Sequence, residues 1–384
     1  MKILFVCMQY IHSARWINQL KDSEHEIYVF DCLDKPIHEE LLWTNTITNW
    51  SKRKKSYVKG EYFLRKKMPA IYEKIQPFLE VTPAEKLIEI ISEIKPDLVH
   101  SLEMQSESYP VLKARKNIEF NWAYSCWGND VFYYQDKKFH TKKIIKALGK
   151  IQYHFLECER DKKLITAINS HAEILGVNFP GGGGYDLKKY NSYKHPLNDR
   201  NLIIIKGYHH KFGRALRVLD ALEQHIDLIA DMDIYVYSAH EVVIARIKEL
   251  NEKYGLTIGY SSRYNQISHE ELLEKFGAAR IAIGNNISDG VPNTLLEAII
   301  LGAFPIQSNP GGASEDFIEN GVNGLLIDNP EDVNEIARLI KRALESGELL
   351  ESATEKNNEI AKKLDYNLVK TNVQKAYSKI AAEL

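Results

Sequence analysis

"RIAIGNNISDGVPNTLLEAIILGAFPIQS" (residues 280–308) holds an apolar run, a polar loop, a helical stretch and a second apolar run in close succession. The first run is short and β-rich, and Asn, Asp, Gly and Pro punctuate the loop after it. A helix is expected from Asn293 or Thr294, and 303–308 reads as strand again. Two buried strands joined through a helix form a parallel pair, since a parallel connection needs a crossover. Within the helix, Glu297 has Leu295, Leu296, Ala298, Ile299, Ile300 and Leu301 as neighbours. A helix apolar on all sides is buried, and a buried carboxylate is costly without a partner. Glu297 is therefore marked for a specific contact. The bland alternative is a Glu that reaches solvent or pairs with a lysine.

The same strand–helix alternation runs outward in both directions. Strands are expected at 2–8, 26–32, 97–102, 121–126 and 153–158, with a helix at 11–22 and another at 159–169. They resume at 202–207, 233–238, 256–261, 280–286, 303–308 and 324–328, with helices at 269–279 and 331–346 and an amphipathic helix over 352–383. Between the two series, 179–200 is rich in Gly, Asn and Pro and reads as a linker. The fold class is α/β, with two doubly wound Rossmann-like domains in tandem. Their boundaries are 1–190 and 191–364, with the terminal helix 365–384 expected to pack back on the first. Such sheets bind ligands at the carboxyl ends of their strands, and two facing domains would leave a cleft.

Composition excludes several classes. The chain has 384 residues, 50 basic against 52 acidic, so no global charge points to nucleic acid. Four cysteines, at 7, 32, 126 and 158, form no C-x-x-C pair, which fits reduced thiols in a cytoplasmic protein. "MKILFVCMQY" is too short in its apolar part for a secretory signal, and no run approaches the ~20 residues of a membrane span. The expectation is a soluble chain, or one attached at most to a membrane surface.

The loop 285–292 carries the chemistry. Backbone N–H groups opening a helix at a strand end suit a phosphate. Glu297, one turn in, would reach a ribose hydroxyl pair, for which a carboxylate is a good acceptor.

The stretch "SDGVPNTLLEAIILGAFPIQSNPGGASEDFIENGVNGLLID" (288–328) resembles the signature of retaining GT-B-fold glycosyltransferases of family 4, the glycosyl transferases group 1. Their pattern is an acid, seven residues, then Glu, followed by a Gly-Gly turn and a G-x-x-G-x-L strand. The resemblance implies a GT-B fold and transfer of a sugar from a nucleotide-sugar donor to a saccharide or lipid-linked acceptor, with retention. It implies a hexosyltransferase-type enzyme in cell-surface polysaccharide or glycolipid synthesis. Glu297 inherits the ribose role. Asp289, one methylene shorter than the usual Glu, inherits the donor-sugar role. Asn293, Thr294 and Leu295 would contact the diphosphate through their backbone, and Gly311 and Gly312 lie near the nucleotide. Glu315 follows that turn and either faces the cleft or lies exposed in a first helical turn capped by Ser314.

The family also carries a basic pair on the first turn of the second domain. Here "IIIKGYHHKFGRALRVLDAL" offers Lys206, Lys211 and Arg214. Such cations would neutralise the leaving diphosphate, with no metal and no other cofactor expected. The adjacent His209 and His210 do not match a metal-ligand spacing and read as cleft or surface residues. In the first domain, His12, Arg15 and Trp16 resemble a subgroup with an H-x-x-R-W pattern. Trp127-Gly128-Asn129-Asp130 is similar to a W-G-S-D variant. His12, Arg15 and Trp127 are acceptor-side candidates, and Asp130 a candidate for sugar or acceptor binding. A helix-start histidine and a core tryptophan are the competing readings of His12 and Trp127.

One further segment stands out. Residues 51–68, "SKRKKSYVKGEYFLRKKM", carry eight basic residues, one acid, and Tyr57, Tyr62 and Phe63 between them. A solvated basic surface is the plain reading, and a surface resting on anionic lipid at the inner face of the membrane the sharper one. Two other functions remain open. A sugar-nucleotide epimerase of the same fold would need cleft carboxylates for proton transfer. A catalytically inactive nucleotide-sugar-binding member would fit the shortened Asp289. A nicotinamide dehydrogenase is disfavoured, since no G-x-G-x-x-G follows a strand.

Overall fold

Apolar runs become strands where both of their faces can be buried. In the computed structural model, which describes residues 1–384, they assemble into two all-parallel sheets. The chain divides into two units. The first comprises 1–156, 162–177 and 372–384, and the second 157–161 and 178–371.

The sheet of the first unit has seven strands: β1 (Lys2–Cys7), β2 (Glu26–Asp31), β3 (Asn45–Ile47), β4 (Leu98–Ser101), β5 (Asn121–Cys126), β6 (Tyr153–Leu156) and β7 (Glu173–Gly176). Their order is β3-β2-β1-β4-β5-β6-β7, so strand order reverses between β1 and β4. Leu4, Val6, Phe30, Val99, Trp122 and Tyr124 build the core on this sheet. The edge strands β3 and β7 carry no apolar run and are absent from the reading of the sequence. Their residues are half-buried or exposed, so burial leaves no pattern in them.

The sheet of the second unit has six strands: β8 (Leu202–Lys206), β9 (Asp233–Ala239), β10 (Gly259–Ser262), β11 (Ala279–Gly284), β12 (Phe304–Ser308) and β13 (Leu325–Ile327). Their order is β10-β9-β8-β11-β12-β13. The reversal falls between β8 and β11, which pair in register Ile203↔Ile281 and Ile205↔Ile283. The helix Asn293–Leu301 crosses from β11 to β12, and all of its residues from Leu295 on are buried. Gly302 ends it in the left-handed region (φ 80°), where glycine carries no steric penalty.

Two expectations from sequence change. Residues 179–200 do not form a linker. They belong to the second unit, where Tyr185 and Tyr190 join its core and Leu187–Asn191 is helical. The tail is not one helix but two, Gly347–Lys363 and Tyr366–Glu383. Asp365 separates them. Its Oδ1 accepts from the amides of Asn367 (2.9 Å) and Leu368 (3.2 Å), which starts a new helix rather than continuing the old one. Residues 372–384 of the second helix belong to the first unit, and there Tyr377 is fully buried.

Tyr377 Oη meets His100 Nδ1 at 2.6 Å, and Ser125 Oγ meets His100 Nε2 at 3.0 Å. The imidazole also stacks on Phe155 with ring centroids 5.1 Å apart. Burial pushes His100 down to about 3 and His154 down to about 4, from 6.5. The unfolded chain therefore binds more protons below about pH 6.5, and each imidazole withdraws about 1.4 kcal/mol of stability per pH unit of acidification until its folded pKa is reached. Glu103 acts with the opposite sign. Burial, and then the charge of Asp130, push it up to about 7. It therefore opposes folding as pH rises from about 4.5 towards 7. In a proton-NMR titration, the ring signals of His100 and His154 should stay at their neutral positions from about pH 8 to 5. A midpoint above 6 for either would contradict a neutral core imidazole.

Candidate functional site

The topological switch point of the second sheet lies between the ends of β8 and β11, and the chemistry-bearing loops leave from there. The turn after β8 (207–214) is joined to the segment after β11 by backbone hydrogen bonds. Arg214 N donates to Asn285 O at 2.9 Å, and Ile287 N donates to Phe212 O at 2.9 Å. Gly213 permits the closure, because a Cβ there would fall on the Tyr208 carbonyl group. The joined loops bring Lys206 Nζ within 3.6 Å of Asp289 Oδ2. Asp289 also accepts from Asn286 Nδ2 at 3.0 Å and from the Gly290 amide at 3.1 Å. Asp289 is thus aimed by two hydrogen-bond donors and one ion pair.

The three cations of the basic turn diverge. Only Lys206 lies on Asp289. Arg214 pairs with Glu331 through Nε, and its Nη1 donates to the carbonyls of Gly213 (2.8 Å) and His210 (3.1 Å). Lys211 is exposed, with Nζ 5.0 Å from the Phe212 ring centroid.

Glu297 is buried, 4% exposed, and its Oε1 lies 2.8 Å from His269 Nε2 and 3.5 Å from Tyr190 Oη. His269 opens the helix His269–Ala278, which Ser268 caps with Glu271 in a reciprocal box. Asn293 begins the helix of Glu297, after Pro292, and its Oδ1 accepts from Tyr185 Oη at 3.1 Å. The Thr294 side chain bonds Tyr237, whose hydroxyl burial pushes far above its usual range. Leu295 is buried and donates its amide to Pro292 O at 2.9 Å.

The glycine turn follows β12. Gly311 (φ 66°) and Gly312 (φ 88°) both take left-handed backbone. Asn309 fastens the turn, accepting from the Ser314 amide at 3.1 Å and donating to Glu315 Oε1 at 2.7 Å. Ser314 does not cap a helix. Its hydroxyl donates to Ser308 O at 2.8 Å, and the segment after it is a set of turns.

Several polar residues of this site were not singled out in the sequence. Arg263 follows β10, with its guanidinium 4.5 Å from the Tyr208 ring centroid, and Lys206 Nζ lies 5.0 Å from the same ring. His240 follows β9, with its ring 5.3 Å from that of His210, and accepts from the His209 amide at 3.3 Å. Burial and then neighbouring positive groups, Arg214 first for His209 and His240 first for His210, hold both imidazoles below their usual range. The imidazoles are not arranged to hold a metal ion. Lys206, Arg214 and Arg263 instead make this end of the sheet electropositive, which suits an anion. A single clue was available: each of His240 and Arg263 directly follows a strand.

In the first unit, His12 and Arg15 lie half-buried on the helix Ile11–Asn18, at the carboxyl end of β1. Tyr10 links His12 (centroids 5.7 Å) to Trp127 (6.1 Å). Trp16, part of the same sequence pattern, is a core residue, packed edge-on against Phe155 at 5.4 Å with Nε1 donating to Tyr377 Oη at 3.2 Å. Asp130 is 2% exposed, and its carboxylate accepts from the Tyr124 hydroxyl and from Cys126 Sγ at 3.4 Å.

Comparison with known proteins adds the following. The family profile for glycosyl transferases group 1 matches residues 244–360, and that for glycosyl transferase 4-like matches 77–158. No curated protein matches the chain. Among solved structures, a sucrose-phosphate synthase from Thermosynechococcus elongatus is similar at a TM-score of 0.70 and 15% identity, covering 100% of each chain. The apo lipopolysaccharide outer core galactosyltransferase WaaB is similar at 0.70 and 18%, again over 100% of each chain. HepE of Anabaena, in complex with UDP-glucose, is similar at 0.68 and 12%, covering 99% of this chain and 100% of that one. At such identities the likeness concerns the fold, two Rossmann-like domains of the GT-B kind.

The closure of the basic turn can be checked by substitution. Gly213→Ala should lower the melting temperature by about 4–8 °C, the effect of about 2 kcal/mol of overpacking in a domain of this size. Gly347 opens a helix with nothing within 4 Å of an added Cβ, so Gly347→Ala should be neutral or slightly stabilising. Equal melting temperatures for the two variants would contradict the close approach at Gly213.

Proposed function

We propose that the chain, which matches the profiles of glycosyl transferases group 1 over 244–360 and of glycosyl transferase 4-like proteins over 77–158, moves a hexosyl group from a nucleoside-diphosphate sugar to a saccharide or lipid-linked acceptor with retention of configuration. The observation that carries this reading is the buried Glu297, one turn into the helix that follows Asp289, which is itself hydrogen-bonded and paired with Lys206. The UDP-glucose complex of the HepE neighbour supports a nucleotide-sugar donor.

In this reading Glu297 accepts from the ribose hydroxyl pair, with His269 and Tyr190 holding its carboxylate in place. The backbone amides of Asn293 and Thr294, at the positive end of their helix, face the diphosphate, whereas the Leu295 amide is taken up by Pro292 O and does not fill the role expected of it. Gly311 and Gly312 let backbone approach the nucleotide closely. Lys206 neutralises the leaving diphosphate, with Lys211 and with Arg214 once it leaves Glu331, so the chemistry draws on side-chain cations rather than a metal or cofactor. Asp289 accepts from donor-sugar hydroxyls. His12, Arg15, Trp127 and Asp130 serve the acceptor. Retention needs positioning and charge stabilisation more than a protein base, since acceptor and leaving phosphate meet on one face of the sugar.

A role at the inner face of the membrane, in cell-surface polysaccharide or glycolipid synthesis, has a surface to support it. Tyr57, Tyr62 and Phe63 are 82%, 75% and 58% exposed, amid Lys52, Lys55, Lys59, Arg65, Lys66 and Lys67. Arg53 pairs beneath them with Glu61 at 2.6 Å and Glu80 at 3.3 Å, which fixes the segment. Aromatic rings among lysines suit an anionic lipid surface.

A panel of nucleotide-sugars tests the reading. Release of nucleoside diphosphate with one donor is expected, whereas interconversion of epimers without release would indicate an epimerase. Glu297→Ala should weaken donor binding about 10–100-fold by calorimetry, the worth of charge-assisted hydrogen bonds. Unchanged affinity would refute the ribose role. For the lipid surface, sedimentation with vesicles rich in phosphatidylserine should fall with added salt, and no binding at low salt would remove the proposal.

A further inference from the structure

The five residues Glu157–Asp161 ("ECERD") sit, along the chain, between two stretches of the first unit, yet they belong to the second. Their side chains reach both loops of the donor site. Arg160 is 5% exposed, and its Nη1 donates to the carbonyl oxygens of Asp289 and Pro310, each at 2.8 Å. Asp289 belongs to the acid loop, and Pro310 leads the glycine turn. The charge is balanced by Asp161, fully buried, whose Oδ1 accepts from Arg160 Nε at 2.9 Å and Nη2 at 2.8 Å. Glu157 adds a second tie to the acid loop, accepting from the Val291 amide at 3.3 Å, and a tie to Gly181 N at 3.1 Å. The Glu159 amide donates to Asp316, just beyond the glycine turn, at 2.7 Å.

We propose that Arg160 is a positioning residue for the donor site: it fixes the spacing between the acid loop and the glycine turn, so that one nucleotide-sugar can touch both. The inference rests on the donor-site reading above and deepens it. One nitrogen bonded to two carbonyls allows those carbonyls little separation, and Asp161 fixes the plane of the guanidinium through its other two nitrogens. Asp289 lies in a loop and Pro310 in a single 3-10 turn, so ties between side chain and backbone such as these contribute to their relative position. Arginine is the residue that can do this. A lysine carries the same charge on a single nitrogen, and it would have to divide that nitrogen between Asp161 and the two carbonyls. The pair is buried, so removing the charge of one partner alone would strand the other.

Arg160→Lys keeps the charge opposite Asp161 and loosens the bridge. The expected result is a melting temperature near that of the wild type, a donor KM about tenfold higher with kcat little changed, and faster amide hydrogen exchange in 286–292 and 309–313 together. The double variant Arg160→Gln/Asp161→Asn, neutral and of similar shape, leaves no stranded charge and should give the same exchange pattern if the lysine variant fails to fold. Exchange unchanged in either loop would overturn the proposal, as would a wild-type donor KM alongside raised exchange. If the wild-type chain binds neither UDP nor any nucleotide-sugar by calorimetry, the donor-site reading fails, while the exchange data still decide whether Arg160 sets the two loops.

Discussion

The pairing of β8 with β11 is the constraint from which the candidate site follows. These strands lie where the strand order of the second sheet reverses, the place at which open α/β sheets bind their ligands. Their register places the end of β8, at Lys206, beside the start of the loop after β11. Backbone bonds from Arg214 and Ile287 then join the two loops, and Gly213 is the position at which a side chain would prevent it. Lys206 meets Asp289 because the backbone has already met.

Charge is placed around that junction with little left to chance. A buried carboxylate is tolerable only with partners, and Glu297 has His269 and Tyr190. A buried guanidinium is subject to the same demand, and Arg160 has Asp161 and two carbonyls. On the turn after β8, His209 and His210 are held towards their neutral forms by burial and by neighbouring cations. An anion binding there would gain from the charges of Lys206, Arg214 and Arg263.

The fold was legible because buried parallel strands must be apolar along their whole length. The nine interior strands announce themselves as runs such as "KILFVC" and "LIIIK"; of the four edge strands, β10 and β13 were also expected from sequence, whereas β3 and β7, half-buried or exposed, were not. Residues 179–200 misled because Gly and Pro signal a break in regular structure, not solvent. Tyr185 and Tyr190 bury the stretch, and Tyr190 lies beside Glu297. The tail misled for the reverse reason, since an amphipathic period runs on past Asp365 although that side chain caps a new helix.

By itself the sequence determined the class of fold and singled out Glu297, because a carboxylate in an apolar helix is a local feature of composition, while Asp289 was singled out by its resemblance to the family pattern. Tertiary structure decided the rest. It selected Lys206 from three nearby cations, turned Arg214 to Glu331, put Trp16 in the core, and brought His269, Arg263, His240 and Arg160 to the loops. Those contacts join residues distant in the chain, through strand order and burial. No local pattern of residues encodes which distant side chain will arrive at a given strand end.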